Sequence, residues 1–126
     1  MKDRKHIRLP DDHPDFRTDP KSWSDFASRA NIIVELVLDE YWEDTNHNDI
    51  RQKHNRLGEV LDFLREFDPS NPVNELARNF FRDVYHWLMK LRPKPEFRNP
   101  KYDFREIRRN LLQDWARLRD KLEAQE

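Results

Sequence analysis

Apolar residues recur along this chain at the three- and four-residue spacing of α-helices, in four blocks separated by prolines and short polar side chains. At about 100° per residue, the last block gathers Phe104, Ile107, Leu111, Trp115, Leu118 and Leu122 into one narrow stripe. The third aligns Val73, Ala77, Phe80, Val84, Leu88 and Leu91, and the second aligns Ile50, Leu57, Leu61 and Leu64, widened by Val60 and Phe67. The first block carries Phe26, Ala30, Ile33, Val37 and Tyr41 on one side, but Ile32, Leu36, Leu38 and Trp42 spread around the rest, leaving Glu35 and Asp39 as its polar positions.

Cap residues set the boundaries. Ser22-Trp23-Ser24-Asp25 has capping-box spacing with Asp in the Glu position, so the first helix is predicted to start near Ser22 and to run to about Asp44. The second follows Thr45, Asn46 and Asn48 and extends to Phe67. Asn71 is the predicted N-cap of the third, with Pro72 as its first residue; the helix reaches Leu91 and is stopped by Pro93 and Pro95. A second Asn-Pro pair, Asn99-Pro100, is predicted to open the fourth. Ahead of them all, residues 1–20 contain Pro10, Pro14 and Pro20 among alternating acids and bases, and read as a polar, loosely ordered arm.

Four amphipathic helices with short connections predict an all-α chain, an antiparallel four-helix bundle over residues 21–126 behind that arm. The surplus apolar surface of the first helix has two explanations. It is either the central element, covered on both flanks, or it offers Ile32 and Trp42 to another molecule.

Composition narrows the chemistry. The chain of 126 residues has one glycine, Gly58, and no cysteine. These counts exclude glycine-cradled phosphate loops, nucleophile elbows, disulfides and thiolate chemistry. A mean hydropathy of −1.16 suits a solvated tail, but the aromatic residues are too many for one. No apolar run has the length of a membrane span, and the first ten residues lack a signal peptide's apolar region, so the sequence predicts a soluble, cytoplasmic protein.

The net charge of −1 conceals a segregation. Residues 11–49 sum to −8 and residues 90–121 to +6. Arg105, Arg108, Arg109 and Arg119 fall on one side of the fourth helix, with Phe97 and Tyr102 close by in sequence. A basic patch with interleaved aromatics suits RNA or single-stranded DNA, although a pI near 6.5 is far below that of a dedicated nucleic-acid binder. Ion pairing between the acidic first helix and the basic fourth helix is the competing use of the same charges.

Two constellations resemble known families. Glu40-Tyr41-Trp42-Glu43 and Glu59-Val60-Leu61-Asp62 resemble the paired acidic signature of the all-α nucleotide pyrophosphohydrolases of the MazG type. That resemblance implies Glu40, Glu43, Glu59 and Asp62 holding Mg²⁺ against a triphosphate. Glu59 and Asp62, however, lie roughly 140° to 160° from the apolar centre of their helix, the placement of a solvated face.

On the third helix Arg78, Arg82 and His86 recur every four residues and stack on one side. The set is similar to the Arg and His of the HEPN ribonucleases, helical bundles in which the two are separated by four to six residues. It implies His86 as general acid or base and an arginine stabilising a charged phosphorane. Here seven residues separate Arg78 from His86, and three separate Arg82 from it.

No nucleophile or metal-ligand set converges, and no cofactor is expected. The sequence therefore predicts a non-enzymatic adaptor, inhibitor or assembly subunit whose partner is another macromolecule, first of all a protein, through exposed aromatic and charge-segregated helix faces. Trp42, Tyr85 and Met89 are the expected contacts. An RNA-directed bundle is the alternative, a pyrophosphohydrolase a lower one, and self-association is compatible with all of them.

Overall fold

The computed structural model describes residues 19–125, so the arm expected over residues 1–20 lies almost wholly outside the described residues. The helices are α1 (Trp23–Val37), α2 (His47–Glu66), α3 (Pro72–Leu91) and α4 (Phe104–Glu123), with short 3-10 turns at Trp42–Asp44 and Pro95–Phe97 and no strand among the described residues. Each helix packs against two others: α1 on α2 and α4, and α3 on α2 and α4. Side-chain pairs fix the directions. Trp23 meets Phe67 while Phe26 meets Phe63, and Phe80 meets Trp115 while Trp87 meets Phe104, so neighbours run antiparallel. The molecule is the four-helix bundle that its stripes predict.

Most of the predicted stripe residues lie in the core, joined by Phe81 from outside the stripe of α3, while Tyr41, Leu61, Phe67, Phe104 and Ile107 are half-buried at its edge. Phe26, Ile33, Val37, Leu57, Leu64, Phe81, Val84, Leu88 and Leu122 are fully enclosed, and each such aliphatic or aromatic side chain contributes on the order of 1.5–3 kcal/mol. Indole N–H groups entering this interior need acceptors. Trp115 Nε1 donates to Asn31 Oδ1 at 2.8 Å, Trp87 Nε1 to the Phe104 carbonyl at 3.1 Å, and Trp23 Nε1 to Asp68 Oδ2 at 2.8 Å. Asp68 itself adopts φ +49°, a left-handed turn made without glycine between α2 and α3. Asn74, fully buried in the first turn of α3, donates from Nδ2 to the Leu64 and Phe67 carbonyls, so one amide closes the open C-terminal end of α2.

Caps follow the sequence at two helices and depart from it at two boundaries. Ser22 Oγ accepts from the Asp25 N–H, and Asn71 Oδ1 from the Val73 N–H, as expected. The first helix, in contrast, ends at Val37 rather than at Asp44. Asp39 Oδ1 accepts the Tyr41 N–H at 3.0 Å, a local bond that competes with helix continuation, and Arg108 Nε takes the Leu38 carbonyl at 2.9 Å. The fourth helix opens at Asp103, whose Oδ1 accepts from the Glu106 N–H, and not at Asn99-Pro100. Asn99 instead closes a turn of its own, accepting the Lys101 N–H on Oδ1 and the Tyr102 N–H on its carbonyl.

The early end of α1 reverses the expectation for Trp42. Released from the helix, that residue turns inward, stacks on Phe104 at 5.5 Å and meets Trp87 edge-on at 5.8 Å. It is 7% exposed, a core residue rather than a contact for another molecule. Ile32 is half-buried. Most of the surplus apolar surface of α1 is covered within the bundle.

Candidate functional site

Antiparallel packing of α2 and α3 aligns the N-terminal half of one with the C-terminal half of the other. His47, Arg51 and His54 recur at three- and four-residue spacing on the side of α2 next to α3. Tyr85, Met89 and Arg92 answer them on α3 and its C-cap. The result is a cleft of about 230 Å³ lined by His47, Ile50, Arg51, His54, Met89 and Arg92. Ile50 and Met89 supply its apolar lining. No acid lines it. His54 Nε2 lies 3.2 Å from Tyr85 Oη and the two rings are 5.3 Å apart, which holds one wall in place.

Beneath this end of α2 lies a buried charge. Lys53 is 3% exposed, with Nζ 3.5 Å from Thr45 Oγ1. Burial pushes its ammonium below the ordinary 10.5, while Asp39 and Asp49 pull it back up. Asp39 is also buried. The interaction ties the turn after α1 to α2. In the α3–α4 region, burial raises the Tyr102 phenol above its ordinary value, and Asp83 adds to the effect.

Of the expected protein contacts, Tyr85 and Met89 are half-buried at this groove, and Trp42 is not among them. The Arg78, Arg82, His86 set is divided. Arg78 is half-buried and its Nε donates to Asn74 Oδ1 at 2.7 Å, a structural role, while Arg82 and His86 are exposed and do not line the cleft.

The basic side of α4 is divided too. Arg105 pairs with Glu43 at 3.0 Å, Arg119 with Glu123 at 3.2 Å, and Arg108 holds the Leu38 carbonyl; Arg109 is exposed. The Arg105–Glu43 pair joins the acidic and basic segments of the chain.

The four carboxylates of the pyrophosphohydrolase resemblance do not come together. Glu59 pairs with Arg56 and Asp62 with Arg65, while Glu43 is taken up by Arg105 and Glu40 lies on the turn after α1. No three Asp, Glu or His side chains among the described residues are grouped to hold a metal.

Sequence reasoning places Ile50 in the apolar stripe of α2 and does not assign Arg51 or Arg92 to a site. The available signal was the His47, Arg51, His54 spacing combined with the register that Asn71-Pro72 imposes on α3. No helix among the described residues is long and apolar enough to cross a membrane. Comparison with known protein families, curated proteins and solved structures finds no match to this chain.

Proposed function

We propose that this chain is a non-enzymatic recognition module that binds another protein in the groove between α2 and α3. The observation that carries this reading is a small cleft whose lining combines the apolar Ile50 and Met89 with the arginines Arg51 and Arg92. Its volume of about 230 Å³ is below the roughly 300–1,000 Å³ typical of small-molecule sites, and suits one inserted side chain. Protein interfaces concentrate their energy in such pockets, with aromatic residues, methionine and arginine around them.

A photo-crosslinking amino acid at position 89 in the native host tests it, with the same group at the exposed Gln113 of α4 as control. A discrete protein adduct at position 89 and none at 113 is the expected result. Equal labelling at the two positions refutes the reading.

One observation favours the RNA-directed alternative. Phe97 is 76% exposed in the loop after α3, with Lys94 and Lys101 exposed nearby in sequence. Rings beside cations suit unstacked bases. The engagement of Arg105, Arg108 and Arg119 within the fold weighs against it. Salt-dependent retardation of labelled RNA, lost on Phe97→Ala with Arg109→Glu, would reinstate it.

A further inference from the structure

We propose that the α2–α3 groove selects an acidic peptide segment, with one apolar side chain seated on Ile50 and Met89 and flanking carboxylates on Arg51 and Arg92; this rests on the protein-recognition reading above. Most arginines among the described residues are already engaged within the fold. Arg56, Arg65 and Arg105 are in ion pairs, and Arg78 and Arg108 are held by oxygens of the fold. Apart from Arg109 on α4, it is Arg51, Arg82 and Arg92 that have no ion pair or hydrogen bond from the side chain among the described residues.

These three share one side of the molecule. Arg82 precedes Met89 by seven residues on α3, which places it about 20° from Met89 around the helix and extends the positive charge along the seam. Asp49, the acid nearest Arg51 on α2, lies about 160° around the helix from it, and acts on buried Lys53 instead. A guanidinium without an internal acceptor presents its planar fork to solvent, in the geometry that takes a carboxylate through two parallel bonds.

The charge around the groove favours a peptide over a nucleic acid. The chain is near neutral, and Asp19, Glu59, Asp62 and Glu66 border the neighbouring α1–α2 side. A long polyanion crossing the molecule would meet those charges. A short acidic segment confined to the α2–α3 seam does not. The single-residue volume of the cleft supplies the apolar half of the specificity, and the two arginines supply the charged half.

The test is selection of a random dodecapeptide display library against the full chain, followed by binding measurements on the synthesised winners. Enrichment of Asp and Glu around one aliphatic or aromatic position is expected, with affinity falling at least tenfold on Arg51→Glu plus Arg92→Glu and falling as salt is raised. Arg51→Gln plus Arg92→Gln should fall in the same direction, and Arg109→Glu should leave binding unchanged. Matching helical circular dichroism and melting temperature establish that each variant is folded.

Winners without acidic bias, winners that bind the charge-reversed variant equally well, or no winners at all overturn the inference. Crosslinking at position 89 to a protein together with any of those results removes the acidic specificity alone. Failure of both experiments, with retardation of RNA, removes protein recognition as well.

Discussion

Lys53 is the residue at which charge and burial are in direct opposition. Its ammonium is pushed below 10.5 by burial against the pull of Asp39 and Asp49. In the unfolded chain the amine keeps its proton up to about 10.5, so just below that pH the unfolded state binds more protons than the folded one. Stability contributed by this group therefore rises as pH climbs through that window. Urea denaturation of the wild type and of Lys53→Met at a series of alkaline pH values should show their difference moving in favour of the wild type as 10.5 is approached. The opposite trend of Tyr102, whose raised phenol keeps its proton longer in the folded state, is common to both proteins and cancels. A flat difference would mean that Lys53 titrates as it does in the unfolded chain.

At the scale of elements, the bundle was legible because its helices are long, strongly striped and punctuated by Asn-Pro and Asp-Pro. Two boundaries were not. Tyr41 and Trp42 keep the apolar periodicity of the first helix running past Val37, so the pattern alone contains no stop; the stop is the bond from the Tyr41 N–H to Asp39. At the start of α4, Asn99-Pro100 and Asp103-x-x-Glu106 are both credible openings, and the second prevails because Asn99 is occupied by its own turn.

A direct test follows from that competition. Asp103→Ala should cost about 1 kcal/mol, the usual loss for an N-cap, whereas Asn99→Ala should cost no more than a few tenths, the scale of a surface substitution. Equal losses, read from denaturant midpoints, would contradict the assignment. The groove is only faintly marked in the sequence, by the His47, Arg51, His54 spacing, and for a different reason. Each of its faces is an ordinary half-polar helix edge, and its chemistry exists only where two such edges meet.

At the scale of the whole molecule, the segregated charge is partly consumed internally and partly retained. The Arg105–Glu43 pair is solvent-exposed, and exposed pairs of this kind contribute little to stability. What remains is a surface whose unengaged arginines lie mainly along α2 and α3. Because the groove is built by both helices, a ligand seated in it binds the folded state alone and must stabilise the entire bundle. A selected peptide at about 100 times its dissociation constant should add about 2.7 kcal/mol, read as a rise in melting temperature that is clearly smaller in Arg51→Glu plus Arg92→Glu at the same peptide concentration. An unchanged melting temperature at saturation would place the peptide elsewhere.

The hydrogen bond from Asn71 Nδ2 to Gln125 Oε1 at 3.0 Å bears on how such measurements are made. It brings the end of α4 to the α2–α3 turn, at the opposite end of α2 from His47 and Arg51. A dye, an affinity handle or a surface tether attached after Gln125 is therefore carried about 18 Å or more from the cleft, since the α2 residues that follow His54 intervene at about 1.5 Å each. C-terminal immobilisation leaves the His47–Arg92 end of the groove pointing away from the support.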